Sequence, residues 1–214
     1  VTELIKVGLL GLGTVGGGTV NVLQRNSAEI SRRTGQSIQV VAAAVREINA
    51  DRICDTNLFE LTDDPVSIVD NPEIDVVIES MGGTELAFDL VMRAIANGKH
   101  IITANKALIA VRGNEIVKAA VEANVMLAFE AAVAGGISVV KVLREGLAGN
   151  QIKSIVGIIN GTGNYILTAM GDEQRDFAGV LAEAQALGYA EADPSFDVDG
   201  VDAAHKLTIL ASLS

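Results

Sequence analysis

The amino-acid sequence predicts an α/β fold, in which parallel strands alternate with helices. Short apolar runs of strand length recur along the first 130 residues, helical periodicity fills the gaps between them, and a glycine-rich turn follows the first run. Near-continuous apolar strands are typical of a parallel sheet that helices cover on both faces. The 22 glycines and 3% aromatic residues fit such a sheet better than an aromatic-rich β-sandwich.

The first element is an apolar run over residues 4–10, followed by Gly11, Gly13 and Gly16 in G-x-G-x-x-G spacing. Strand, glycines and helix in this order predict a Rossmann-type dinucleotide-binding turn. Gly11 permits the tight turn, Gly13 lets the backbone approach a pyrophosphate, and Gly16 lets helix and strand pack closely.

The helix after this turn begins near Thr14 and Val15. Its first N–H groups and the positive end of its dipole favour phosphate, so both residues join the predicted cofactor contacts. A strand–helix turn without a ligand is the alternative, and the order of the elements favours the cofactor.

Further apolar runs and helical stretches continue the alternation. The predicted strands are 37–45, 74–80, 100–105 and 125–130, and the predicted helices include 85–96 and 114–123. Ligands of such sheets bind at the carboxyl ends of the strands. Those ends carry Arg46, the segment ESMGG with Gly82 and Gly83, and the segment TANK with Lys106.

Arg46 and Glu47 follow the second predicted strand. An arginine at this place accommodates the 2′-phosphate of NADP, whereas an acidic residue binds the ribose hydroxyl of NAD. Arg46 therefore favours NADP, and Glu47 keeps NAD open.

Composition excludes several classes of partner. The net charge of −11 argues against nucleic acid and anionic membranes, which require clustered Lys and Arg. The single Cys54 excludes an internal disulfide and fits a reducing compartment. No leader-like segment and no apolar run of about 18 residues is present. We expect a cytoplasmic protein.

The acidic segment after residue 190 precedes a predicted helix that starts at residue 199 or 200. Asp202 and Lys206 then lie four apart on one face. A surface ion pair of about 0.3–0.5 kcal/mol is one interpretation, and a proton donor oriented by a carboxylate is the other. A calcium loop read from Asp197 fails, because Val201 stands where an oxygen ligand is needed.

Several segments together resemble the homoserine dehydrogenase family over nearly the whole chain. They are GLLGLGTVGGG, ESMGG, ITANKALIA, FEAAVAGGI, INGTGNYIL and LGYAEADPSFDVDGVDAAHKL, in this order. The last two are the most specific, because many dehydrogenases share G-x-G-x-x-G. The resemblance implies NAD(P)-dependent interconversion of aspartate 4-semialdehyde and L-homoserine, in threonine and methionine biosynthesis.

The resemblance also implies the domain organisation. Residues 1–130 would form the NAD(P)-binding Rossmann domain. Residues 131–214 would begin an incomplete α+β catalytic domain that serves substrate binding and dimerisation. The chain is then expected to be a truncated part of a longer protein that forms a homodimer or a higher homo-oligomer.

The same resemblance assigns roles to individual residues. Lys206 would exchange the proton with the substrate oxygen, Asp202 would orient Lys206, and Lys106 would assist polarisation near the nicotinamide. The expected contacts of the amino-acid substrate are Glu191, Asp197, Tyr189, Gly161 and Thr162. A sodium or potassium ion would be held by Glu130, Val133, Gly135 and Ile137.

Two alternatives remain beside this interpretation. One is an NAD(P)-binding sensor without turnover. The other is a related semialdehyde or amino-acid dehydrogenase, such as an aspartate-semialdehyde dehydrogenase that uses a cysteine nucleophile. The position of Cys54, early in the nucleotide-binding half, disfavours a thioester mechanism.

Overall fold

The computed structural model describes residues 4–214, which form two compact units. One unit ends at Gly135 and the other spans Gly136–Ser214, whereas the sequence placed the boundary after residue 130. Within residues 4–214, every helix is too short or too polar to cross a lipid bilayer.

The first unit contains a six-stranded sheet in which all paired neighbours are parallel. Its strands are β1 (Leu4–Leu10), β2 (Ser37–Ala44), β3 (Glu60–Thr62), β4 (Val76–Glu79), β5 (His100–Thr103) and β6 (Leu127–Ala128). In the order β3-β2-β1-β4-β5-β6, the chain first adds β2 and β3 on one side of β1 and then crosses to add β4, β5 and β6 on the other side. This strand order is the Rossmann topology. The predicted fold class is confirmed.

The helices of this unit are α1 (Thr14–Arg25), α2 (Ser27–Thr34), α3 (Pro65–Asp70), α4 (Glu85–Ala96) and α5 (Lys106–Glu122). They cover both faces of the sheet. Val7 and Leu9 share a buried cluster with Val20 of α1. On the opposite face, Gly8 lies so close to α3 that a Cβ there would be 2.6 Å from Ile68.

Two predicted elements differ from the observed ones. The helix expected over 114–123 begins eight positions earlier, at Lys106, because the Asn105 side chain caps it by accepting from Leu108 N at 3.1 Å. The strand expected over 125–130 is reduced to Leu127–Ala128. Neither β3 nor α3 was predicted from the sequence, since a strand of three residues and a helix of six are too short to show a clear period.

The second unit is mainly helical. After α6 (Val139–Lys141) and a π-helical turn over Val142–Gly146, it contains α7 (Gly161–Glu173), α8 (Phe177–Ala186), α9 (Ser195–Val198) and α10 (Val201–Ser212). Ile166 and Val180 are in its small core, between α7 and α8. Residues 151–160 have no regular secondary structure, and Val156 is 95% exposed.

Candidate active site

The glycine turn after β1 meets the steric requirements of a dinucleotide site. Gly11 has φ of +94°, and a Cβ there would lie 2.8 Å from the Ser80 carbonyl oxygen. A Cβ on Gly16 would lie 2.3 Å from the Gly11 carbonyl oxygen, so only glycine allows α1 to approach the turn. Gly13 faces open space, where a Cβ would meet nothing within 4 Å.

The start of α1 supplies the donors for this open space. Gly13 is the N-cap and provides no capping side chain, and its carbonyl accepts the hydrogen bond from Gly17 N at 2.8 Å. The first-turn amides, which include Thr14 and Val15, lie at the helix end that favours anions. Open space beside uncapped amides fits the pyrophosphate of a dinucleotide.

Arg46 and Glu47 follow β2, and both are exposed. The loop is tied to the glycine turn by Arg52, whose guanidinium donates to the carbonyl oxygens of Leu12 (3.2 Å) and Glu47. Arg52 was not predicted from the sequence as a site residue, because one arginine in a polar loop forms no pattern. Arg52 thus joins the two segments that would border the adenosine end of a dinucleotide.

The ends of β4 and β5 bring a second group of predicted residues together. Gly82 and Gly83 follow β4 with φ of +76° and +75°, and Lys106 begins α5 directly after β5. Asn105 links these segments, because its Nδ2 donates to the Gly83 carbonyl oxygen at 2.6 Å. Gly83 and Lys106 therefore belong to one hydrogen-bonded edge of the sheet.

In the second unit, the spacing of Asp202 and Lys206 places both on α10, as predicted. Lys206 Nζ donates to Asp202 Oδ2 at 2.7 Å and to the Ile159 carbonyl oxygen at 2.6 Å. The two side chains are only 20% and 8% exposed. A solvated surface ion pair therefore does not describe this contact.

Asn160 is the centre of the cluster around Lys206. Its Nδ2 donates to Asp197 Oδ1 (2.7 Å) and to Asp202 Oδ2 (2.9 Å), while its Oδ1 accepts from Gly163 N (2.6 Å) and caps α7. Asn160 was not predicted from the sequence as a site residue. The N-cap preference for Asn before a helix could have identified it as a cap, although not as a partner of two carboxylates.

The arrangement can hold a cationic group and transfer a proton. An ammonium has three N–H donors, and within residues 4–214 the hydrogen bonds of Lys206 occupy two of them. The third is available to a substrate oxygen. The Asp202 carboxylate accepts from Lys206, and Asn160 donates to the same oxygen and holds it in place.

The other predicted substrate residues differ from one another in exposure and in hydrogen bonding. Gly161 is the first residue of α7, and the Thr162 hydroxyl donates to the Tyr189 carbonyl oxygen at 2.7 Å. The Tyr189 ring is mostly exposed, with its centroid 5.0 Å from that of Tyr165. Glu191 is also exposed, and its main-chain carbonyl accepts from the side chain of Gln185.

The predicted cation ligands extend from the first unit into the second. Glu130 begins a 3₁₀ turn, Val133 is fully buried, and Gly135 ends the first unit. Ile137 belongs to the second unit and is 67% exposed. Residues 4–214 contain no group of three or more His, Cys, Asp or Glu side chains placed to hold a metal. An alkali-ion site built from main-chain carbonyls does not need such a group.

The chain matches two family models. Residues 11–130 match the model described as homoserine dehydrogenase, NAD binding domain, and residues 139–214 match the model described as homoserine dehydrogenase. The curated homoserine dehydrogenase of Pseudomonas aeruginosa is 61% identical over 210 residues, which are 98% of this chain and 48% of that protein. The chain thus spans about half the length of the curated relatives it matches.

Solved structures give the same result. A homoserine dehydrogenase from Thiobacillus denitrificans has a TM-score of 0.94 and 59% identity, over 99% of this chain and 49% of that one. A hyperthermophilic archaeal homoserine dehydrogenase in complex with NADPH has a TM-score of 0.81 and 26% identity, over 99% of this chain and 70% of that one.

Proposed function

We propose that this chain, which belongs to the homoserine dehydrogenase family, forms the cofactor-binding unit and part of the catalytic unit of an NAD(P)-dependent homoserine dehydrogenase. The reaction is the reversible reduction of aspartate 4-semialdehyde to L-homoserine, in threonine and methionine biosynthesis. The observation that carries the proposal is the half-buried Lys206 ammonium, paired with Asp202 and with one N–H left for a substrate.

The chain's own part in the chemistry is the transfer of a proton. The nicotinamide of a bound cofactor supplies the hydride that reduces the aldehyde carbon. Lys206 donates a proton to the aldehyde oxygen as it becomes an alkoxide, and the product is an alcohol. In the oxidation direction the neutral Lys206 amine takes the proton back from the hydroxyl. Asp202 keeps the lysine in place in both directions.

Recognition of the amino-acid end needs one site for an ammonium and one for a carboxylate. Asp197 and Glu191 supply carboxylates for the ammonium, with Tyr189 beside them. The amides of Gly161 and Thr162, at the N-terminus of the 13-residue helix α7, suit the carboxylate. Asn160 supports this assignment, because it joins Asp197 to Asp202 and therefore the binding group to the proton-transfer pair.

The cofactor assignments are proposed by region. Gly11, Gly13, Thr14, Val15 and Gly16 would contact the pyrophosphate, Arg46 the 2′-phosphate of NADP, and Gly82, Gly83 and Lys106 the nicotinamide end. The NADPH complex of a relative in the family supports NADP as a ligand, and Glu47 keeps NAD as a second one.

A monovalent cation is proposed at the turn that ends the first unit. Glu130 would supply a carboxylate, and Val133, Gly135 and Ile137 would supply carbonyl oxygens, which hard cations prefer. Ala134 and Gly136, the two neighbours of Gly135, both have positive φ, so the backbone there is neither regular helix nor strand. We also propose that the full-length protein is a homodimer or a higher homo-oligomer located in the cytoplasm.

A spectrophotometric assay of the full-length protein tests the function. We expect homoserine-dependent reduction of NADP or NAD, with a dependence on potassium or sodium. A full-length protein that binds NADPH tightly but does not oxidise homoserine would reject the proposal. That outcome would favour a sensor, in which replacing Lys206 has no consequence for ligand binding or cellular role.

A further inference from the structure

We propose that Glu79 and Thr103 are a positioning pair that holds the two loops at the nicotinamide end of the sheet. The pair would act through the main chain of these loops. The inference rests on the proposed function, because it assumes that a nicotinamide cofactor binds at this edge.

Glu79 is a buried acid in the middle of the sheet. It is the last residue of β4, it is fully buried, and it lies in register with Leu10 of β1 and Thr103 of β5. Burial of a carboxylate costs several kcal/mol unless hydrogen bonds satisfy it. Apolar side chains fill the neighbouring positions of β4, so packing alone gives no reason for an acid here.

Both oxygens of Glu79 are used to fix loop backbone. Oε1 accepts from Met81 N at 2.8 Å, in the loop after β4. Oε2 accepts from the Thr103 hydroxyl at 2.6 Å, and the same hydroxyl oxygen accepts from Asn105 N at 2.9 Å, in the loop after β5. One carboxylate therefore fixes both loops.

The hydrogen bonds close into a ring. Asn105 Nδ2 donates to the Gly83 carbonyl oxygen at 2.6 Å, which returns the chain of contacts to the loop that begins at Met81. Between them stand Gly82 and Gly83, both at positive φ and both with open space where a Cβ would lie. Glycines are the most mobile residues of a loop, so an external anchor is what holds their backbone in one arrangement.

The ring also fixes the first turn of α5. Asn105 is the N-cap of that helix, and Lys106 is its first residue. Loss of the Glu79 carboxylate would release Met81 N and the Thr103 hydroxyl, and loss of the Thr103 hydroxyl would release Asn105 N. The nicotinamide end of the cofactor would lose preorganised contacts, while the pyrophosphate turn after β1 has its own steric support from Gly11 and Gly16.

The experiment compares two ligands in the full-length protein by calorimetry: NADPH, and 2′-phospho-ADP-ribose, which lacks the nicotinamide. The variants are Glu79→Met, which removes both acceptor oxygens at similar volume, Thr103→Val and the conservative Thr103→Ser. We expect Glu79→Met and Thr103→Val to weaken NADPH binding about tenfold and to leave binding of the fragment within about twofold. Thr103→Ser keeps the hydroxyl and should restore wild-type NADPH binding.

Lys99→Met is the matched control. Lys99 is also a buried charged residue, at the opposite end of the strands, where its Nζ donates to the carbonyl oxygens of Asn71 and Ile74. Lys99→Met should lower thermal stability, and it should not weaken NADPH binding more than binding of 2′-phospho-ADP-ribose. A second readout uses the cofactor-free protein, in which Glu79→Met should speed hydrogen exchange of the amides at residues 81–83.

Three results would overturn the positioning role. In the first, Glu79→Met and Thr103→Val weaken the binding of both ligands equally, and in the second, Lys99→Met also weakens NADPH binding more than fragment binding. In the third, Glu79→Met and Thr103→Val bind NADPH as tightly as the wild type. Turnover is measured separately. If the variants weaken NADPH binding selectively but the wild-type protein does not oxidise homoserine, the proposed reaction is rejected and the positioning role stands. A wild-type protein that does not bind NADPH would reject both.

Discussion

The candidate sites of the two units differ in whether main-chain or side-chain groups form them. In the first unit the site is mostly main chain: amides at the start of α1 and a glycine turn whose shape is set by Gly11 and Gly16. In the second unit it is mostly side chains: Lys206 and Asn160 both donate to the Asp202 carboxylate.

The difference determines how each site responds to substitution. A main-chain site is disturbed by added volume or by a forbidden φ, and side-chain chemistry matters little to it. A side-chain cluster is disturbed by any loss of a donor or acceptor, even when the volume is conserved. Substitutions in the two units should therefore separate ligand binding from turnover.

The largest effect is expected for Lys206→Ala in the full-length protein. Removal of the proton donor should lower kcat for homoserine oxidation by about 100- to 10,000-fold. Cofactor affinity should stay within about twofold of wild type. Lys118→Ala is the control, because Lys118 also faces a carboxylate four residues away but is exposed. Near-wild-type turnover of Lys206→Ala would remove the proton-transfer role.

Gly13→Ala tests the main-chain site in the first unit. The added Cβ meets no protein atom within 4 Å and φ is −79°, so the fold should be kept. The methyl group should keep the cofactor pyrophosphate away from the main chain and weaken NADPH binding roughly tenfold or more. Gly18→Ala, inside α1 and also in open space, should leave NADPH binding unchanged and raise stability by about 0.5–1 kcal/mol. The pyrophosphate assignment fails if both variants bind equally well.

Asn160→Ala should combine a small loss of stability with a loss of turnover. The lost cap of α7 costs about 1 kcal/mol, and the lost bonds to Asp197 and Asp202 should lower kcat roughly tenfold. Asp176→Ala removes the cap of α8, which accepts from Gly179 N, and should show the stability loss alone. Equal kcat values in the two variants would reduce Asn160 to a cap.

Arg46→Ala tests the cofactor preference. Loss of a guanidinium beside a 2′-phosphate should weaken NADP binding roughly tenfold and leave NAD within about twofold. Arg33→Ala, an exposed arginine on α2, serves as the control for general charge effects. Equal weakening of both cofactors by Arg46→Ala would reject the 2′-phosphate assignment.

The smallest effect concerns the acid stability of the second unit. Hydrogen bonds from the Tyr165 hydroxyl and the Arg175 guanidinium hold the pKa of Glu183 below its usual 4.5. A lowered carboxyl pKa contributes stability that is present above the unfolded value and is lost as pH falls through the folded one. Urea unfolding below about pH 4.5 should therefore show a decline that Glu183→Gln reduces. An identical decline in the variant would assign it to other carboxylates.

Much of the first unit was predicted from the sequence alone. The strands near residues 4–10, 37–45 and 100–105 and the helix over 85–96 are confirmed, because long apolar runs and helical spacing are local properties. The start of α10 beside Gly200 is confirmed as well. The helix α5 was placed too late, because its boundary depends on the cap by Asn105.

The sequence by itself determined the parallel α/β fold, the glycine turn and the four-residue spacing of Asp202 and Lys206. These features follow from local patterns, because the spacing of apolar residues and the conformational freedom of glycine act between positions that are close in the chain. Only the tertiary structure decided that Arg52 reaches Leu12, that Asn160 joins Asp197 to Asp202, and that Glu79 meets Thr103. These contacts join residues 24 to 42 positions apart, and such a pairing exists only when the packing of strands and helices brings the two side chains together.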